Sequence, residues 1–194
     1  MELIHLNVGR LQTNCYIVWH EGSTCCAVID PGEEADRILR TVQSKGLSIE
    51  AILLTHGHFD HVGAVKDLHN QTGCKVYMNM KELALPESLT DGTLLYTHNY
   101  NADDTVTAGG INFSVMETPG HSEGSVCLLC GDVIFSGDTL FAGTCGRTDL
   151  PTGSWSRIVE SLKRLAQLPG DYTVYPGHGP ATTMADERAD NPYM

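Results

Sequence analysis

Basic residues are scarce in this sequence: 12 lysines and arginines stand against 24 aspartates and glutamates, giving a formal net charge of -12. A surface that acidic repels phosphate backbones, and no cluster of Lys or Arg offsets it, so nucleic acid is excluded as a partner. Also lacking is any apolar run near the roughly 18 residues that a membrane span requires. The N-terminus, MELIHLNVGRLQTNCYIVW, is interrupted by Glu2, His5, Asn7 and Arg10 and holds no signal-peptide core. The seven cysteines, an odd number, are scattered without a framework, and Cys25 and Cys26 are adjacent. Reduced thiols and a cytoplasmic location are therefore expected. No linker rich in Pro, Ser or charge divides the chain, so residues 1–194 read as one domain, large enough for one sizeable core. No obligate protein partner is evident.

What is present is a globular composition, 41% hydrophobic and 19% charged. Short runs rich in Ile, Val and Tyr predict strands at Leu3–Val8, Asn14–Trp19 and Cys26–Asp30, with Pro31-Gly32 stopping the third. Ala35, Ile38, Leu39 and Val42 recur at helical spacing and Gly46 ends that helix. IEAILLT reads as a buried strand, and Val62–Thr72 as a second helix with Val62, Val65 and Leu68 on one face. Residues 79–104 show no period and read as a long loop, a feature usually mobile or functional. Strands resume at INFSVMET and at SVCLLCGDVIFSGD, the latter a hairpin turning at Gly131-Asp132. A third amphipathic helix is predicted over Trp155–Leu168, then a last strand and turn in YTVYPGHGP and a short polar helix. Strands and helices alternate in both halves, which predicts an α/β sandwich: two sheets packed together with helices outside.

The stretch ILLTHGHFDHVGAV crowds three histidines and an aspartate into six residues where a strand runs out. In extended chain, residues two apart point to the same side, so His56 and His58 can meet one ion. Asp60 and His61 follow where the backbone turns into a helix. ETPGHSEGS offers His121 in a glycine-flanked turn after a strand, YPGHGP offers His178 in the same setting, and IFSGDTLF places Asp138 after another apolar strand. Each residue alone has an ordinary explanation: Asp60 as a helix cap, Asp138 as a turn residue, His121 as a polar loop residue. Together they share one architectural position. His56, His58 and His121 supply three nitrogens, the usual protein ligand count of a catalytic ion with an open position. Asp60, His61 and His178 would hold a second ion, and Asp138, with two carboxylate oxygens, is the natural bridge. Two divalent ions about 3.5–4 Å apart favour hydrolysis of an electrophilic carbonyl or phosphoryl centre. Zinc is the expected metal, with iron or manganese as alternatives.

THGHFDHVG resembles the His-x-His-x-Asp-His signature of the metallo-β-lactamase superfamily, and His121, Asp138 and His178 complete its ligand order. The resemblance covers nearly the whole chain and implies an αββα sandwich with the metals at one edge, between the sheets. LFAGTCGRTDLPTGSW and VYPGHGPATTMADERADNPY look most like the short, single-domain, glyoxalase II-like hydrolases of bacteria. That subgroup implies hydrolysis of a thioester, with S-lactoylglutathione as the reference substrate. By the same resemblance a metal-bridging hydroxide attacks the carbonyl, Asp60 orients it, and a metal stabilises the oxyanion. Arg147 is the best cation for a substrate carboxylate, against an equally ordinary pairing with Asp149. Cys145 lies in the same glycine loop and could approach the substrate, or simply fill space.

Two departures bear on the substrate. Full-length glyoxalase II enzymes carry a C-terminal helical domain that helps bind glutathione, and residues 1–194 are expected to hold no counterpart of it. Where their glycine loop offers a lysine and a tyrosine, this chain has Arg147 and Asp149. The main rival reading is a mononuclear iron persulfide dioxygenase, similar through the GTCGRTD loop and needing only two histidines and an aspartate. Lactonases and β-lactamases of the same fold come next, and a non-catalytic metal-binding module would predict degraded ligand positions. Cys127 and Cys130 are read as buried strand cysteines facing opposite ways, not as a redox pair. His98 and Tyr100 are candidates to line the pocket, and His5, His20 and His69 are read as surface or outer residues.

Overall fold

The computed structural model describes residues 1–194, and its strands follow the Ile-, Val- and Tyr-rich runs. β1 (Glu2–Val8), β2 (Thr13–Trp19) and β3 (Cys25–Ile29) form an antiparallel meander. Parallel neighbours require a crossover. Helix α1 (Ala35–Ser44) supplies one before β4 (Ser48–Leu53), and α2 (Phe59–Val62) with α3 (Val65–Thr72) supply the next before β5 (Lys75–Met78). The two-residue β6 (His98–Asn99) completes this first sheet. The second begins with an antiparallel run of β7 (Thr105–Ala108), β8 (Ile111–Glu117), β9 (Val126–Cys130) and β10 (Val133–Gly137). A small hairpin, β11 (Leu140–Phe141) with β12 (Thr144–Cys145), and helix α4 (Trp155–Ala166) then lead to β13 (Thr173–Pro176), parallel to β10. β14 (Thr182–Thr183) forms the far edge and α5 (Met184–Asp190) follows it.

Side-chain alternation along the strands builds three apolar layers. In β2, Ile17 faces α1 and α3, whereas Tyr16 and Val18 face the second sheet. The first outer layer packs Ile38 and Val42 of α1 and Val65 and Leu68 of α3 on the sheet. Ala27, Ile29 and Leu53 meet Phe113, Leu128 and Phe135 in the middle layer. Ile158, Leu162 and Leu165 of α4 cover the far face of the second sheet. Burying each such side chain stabilises the fold by about 1.5–3 kcal/mol before chain entropy is counted. The molecule is an αββα sandwich, as expected. Cys127 lies in the outer layer and Cys130 in the middle one, so they do face opposite ways, and all seven cysteines are unpaired. No helix is long and apolar enough to cross a membrane.

Three expectations need correction. The helix expected over Val62–Thr72 is two helices, because the turn after β3 intrudes: the Ala64 amide donates to the Pro31 carbonyl at 3.0 Å. A Cβ on Gly63 would collide with the Gly32 carbonyl. The segment 79–104 is also less irregular than its sequence suggests. It contains 3-10 turns at Met80–Ala84 and Glu87–Leu89 as well as β6. Tyr100 does not line a pocket; it is buried between the sheets, its hydroxyl donating to the Leu54 carbonyl. His98 is exposed and stacks on Tyr77 at the edge of the first sheet.

Candidate metal centre

Past the end of β4 the chain bends at Thr55 and reaches His58 in extended conformation, with φ and ψ of -68° and 147°. His56 and His58 converge, with ring centroids 4.8 Å apart. His121, in the turn between β8 and β9, brings its ring within 4.8 and 4.6 Å of them. Its Nε2 faces Nδ1 of His58 at 2.8 Å. Asp60 and His61 ride on α2, and His178 follows β13; His178 Nε2 lies 3.1 Å from Asp60 Oδ2, and His61 Nε2 lies 3.6 Å from it. In each trio, His56-His58-His121 and Asp60-His61-His178, the ligand-type atoms all fall within 4.8 Å of one another. Asp138, just past β10, stands between the trios, with Oδ1 at 3.4 Å from His61 Nε2 and Oδ2 at 3.6 Å from His121 Nε2. Gly177 permits that approach, since a Cβ there would strike Asp138 Oδ1 and the His61 ring.

Hydrogen bonds on the far side of the rings decide which nitrogen faces the centre. His61 donates from Nδ1 to Asp30 at 3.0 Å and His121 from Nδ1 to the Arg147 carbonyl at 2.8 Å. The Thr55 hydroxyl donates to Asp30 at 2.6 Å, so its contact with His56 Nδ1 at 3.1 Å is one in which the ring donates. On the near side, His56 Nε2, His61 Nε2 and Asp138 Oδ1 are buried with no hydrogen-bond partner, and His58, whose Nδ1 is turned to His121, leaves its buried Nε2 without one as well. Orphaned buried polar atoms are costly and rare in folded proteins. Four in one cluster of imidazoles and a carboxylate are the donor set of divalent transition metals, and these residues fit such ions.

The electrostatics differ between the two trios. Burial, with the neighbouring imidazoles adding to it, lowers His56 far below the usual histidine range and His58 to about 4. Both rings are thereby kept neutral, the form that binds metal. Burial also pulls on His61, but the carboxylates of Asp138, Asp30 and Asp60 outweigh it and hold this imidazole at about 9. Asp60 is desolvated too, yet the hydrogen bond from His178 and the nearby imidazoles keep its carboxyl well below the ordinary range.

The centre opens into a cavity of about 420 Å3, within the size range of small-molecule sites. Leu11, Phe59, Leu89, Phe141 and Leu150 form its apolar walls, and Arg147 stands among its lining residues. The Arg147 guanidinium is exposed and holds Asp149 through Nε and Nη2, both at 2.8 Å. Cys145 is not among the residues that line the cavity; it packs half-buried on the layer beneath α4. His5 bonds to Asn14 at 2.7 Å, and Asn14 in turn donates to the carbonyls of Pro176 and Gly179 on either side of His178. Sequence reasoning missed Asp30, Thr13 and Glu82. Asp30 sits at a strand end before a turn, the position shared by His56 and Asp138, and could have been found that way. Glu82 has no such signal, since its partners are 25 to 42 residues distant in sequence.

Residues 8–178 match the family model of the metallo-β-lactamase superfamily. The hydroxyacylglutathione hydrolase GloC of Haemophilus influenzae is 32% identical over 100% of this chain and 98% of its own length. Among solved structures, the BLEG-1 B3 metallo-β-lactamase superposes with a TM-score of 0.91 at 32% identity, over 99% of both chains. The protein TTHA1623, solved in a di-iron-bound form, gives 0.88 at 37% identity over 98% of this chain and all of its own. ETHE1 from Myxococcus xanthus gives 0.88 at 32% identity, over 99% of this chain and 84% of its own.

Proposed function

The chain belongs to the metallo-β-lactamase superfamily of metal-dependent hydrolases, and from that premise we propose that it is a dinuclear enzyme hydrolysing a thioester, S-lactoylglutathione or a related acyl-thiol. The observation that carries this reading is the pair of ligand trios joined by Asp138 at the floor of an apolar cavity. Bound divalent ions, zinc foremost, would polarise the carbonyl and lower the pKa of the attacking water. Asp60 accepts a hydrogen bond from Thr13 at 3.0 Å and its Oδ2 lies 3.1 Å from His178 Nε2, so its carboxylate is fixed and ionised, ready to orient that water. The leaving thiolate is stable enough to depart without a general acid. Leu11, Phe59, Leu89, Phe141 and Leu150 exclude water from the acyl group and the carbon stem of the thiol. Arg147 meets a substrate carboxylate by sharing or displacing Asp149, an exchange that costs little because water screens an ion pair this exposed. The similarity to GloC supports the glutathione thioester, and seven unpaired thiols suit a reducing cytoplasm.

A second reading, a mononuclear iron persulfide dioxygenase, draws two histidines and an aspartate from the same set, and the likeness to a protein solved with two irons supports iron as the metal. One assay series separates the readings. Metal-analysed protein is given S-lactoylglutathione and thiol release is followed, with His121→Ala as control. Rapid release that the variant loses is expected. Absence of release from fully metallated protein rejects this substrate, and oxygen uptake with glutathione persulfide would then favour the dioxygenase.

A further inference from the structure

Glu82 lies in the long segment between β5 and β6, away from the cavity, and its side chain is fully buried. It faces no lysine or arginine. Its carboxylate instead accepts three hydrogen bonds: Oε2 from the Gly57 amide at 2.6 Å, and Oε1 from the Gly124 amide at 2.6 Å and the Ser122 hydroxyl at 2.7 Å. Gly57 stands between His56 and His58, and Ser122 directly follows His121. One carboxylate thus ties together the two turns that carry all three nitrogens of one trio. The turns also close tightly on it. A Cβ on Gly57 would sit 3.1 Å from Glu82 Oε2, and one on Gly124 would sit 2.8 Å from Oε1. Burying a carboxylate without a cation is unfavourable, and packing alone would be served better by an apolar side chain. The other trio is braced differently, by Thr13 on Asp60 and Asp30 on His61.

We propose that Glu82 is a positioning residue for the three-histidine metal position, fixing the distance between the His56-His58 turn and the His121 turn, with the Asp60-His61-His178 position independent of it. This rests on the two-metal reading above. Glu82→Gln keeps the shape but turns an NH2 group against at least one of the backbone donors, so the turns must move apart.

The test is a cobalt(II) titration of the full chain, followed by visible absorption and by metal content, with thermal melting of the metal-free proteins alongside. Wild type is expected to take up two equivalents. In Glu82→Gln one equivalent weakens by tenfold or more, in line with the roughly 10–100-fold effect of losing a group that orients ligands. The retained equivalent survives adding His121→Ala and is lost on adding His178→Ala. Ser122→Ala, which removes one of the three donors, shifts the same equivalent by a smaller factor and serves if Glu82→Gln folds poorly. Equal weakening of both equivalents, or no weakening of either, overturns the positioning role. Uptake of a single equivalent by wild type instead overturns the two-metal reading. The assignment to Glu82 is then judged by whether Glu82→Gln weakens that one ion and alters its spectrum.

Discussion

At the scale of single residues, the ligands are distinguished by what supports them from behind. Asp30 is the clearest case: it accepts from the Thr55 amide at 2.8 Å, the Thr55 hydroxyl at 2.6 Å and His61 Nδ1 at 3.0 Å. Its backbone φ is +49°, a region that asparagine tolerates. Asp30→Asn should therefore fold, yet it removes the negative charge that raises His61 and weakens the bond fixing its tautomer. Competition with a chelator should show metal affinity reduced by about 10–100-fold; unchanged affinity would mean that the His61 ring is held by packing alone. The seven ligand candidates could be read from sequence because each offers a metal-binding side chain at a strand end or helix start. Thr13 and Glu82 could not, since a threonine or glutamate has many uses and only the folded chain shows which acceptor or donor it meets. Arg147 shows the same limit: its sequence admits either a substrate contact or a pair with Asp149, and the fold contains the pair at the cavity.

At the scale of elements, periodicity was informative wherever one face of an element is buried. β2 alternates between two layers and α4 buries Ile158, Leu162 and Leu165, so their patterns betray them. The helix after the histidine motif was legible in type but not in continuity. Its apolar spacing runs unbroken through Gly63, and only the position of the distant Pro31-Gly32 turn breaks it. Residues 79–104 hid their structure because 3-10 turns and a two-residue strand are too short to repeat. The break in the helix has a consequence for the site, since α2 presents both Asp60 and His61. Gly63→Ala places a methyl against the Gly32 carbonyl and must push α2 or the turn away. Urea unfolding should show a loss of about 1–3 kcal/mol, the usual penalty for overpacking, and cobalt binding should weaken with it. A variant as stable as wild type would show that the turn yields without strain.

At the scale of the whole molecule, the site joins the two sheets: His56, His58, Asp60 and His61 follow the first, and His121, Asp138 and His178 lie in the loops of the second. Protonation of the metal-free site is consequently linked to global stability, and its members pull in opposite directions. His58 is held at about 4, mainly by burial, and His56 is lowered too, whereas an unfolded histidine titrates near 6.5. Below that pH the unfolded chain gains protons that these rings refuse, so their contribution, present above about 6.5, is lost as the pH falls toward 4. His61, held at about 9 against burial by Asp138, Asp30 and Asp60, behaves in the reverse way. Its contribution is complete below the unfolded value and is lost as the pH rises through 9. The metal-free protein should accordingly be most stable near neutrality and less so at both pH 5 and pH 9, as urea unfolding in the presence of a chelator would reveal. Loading metal requires His61 to give up its proton, so zinc added at pH 7 should acidify a weakly buffered solution while raising the melting temperature. A stability profile that stays flat from pH 5 to pH 9 would show that the opposed carboxylates and imidazoles do not govern the free site, and the proton release on metal uptake should then vanish with them.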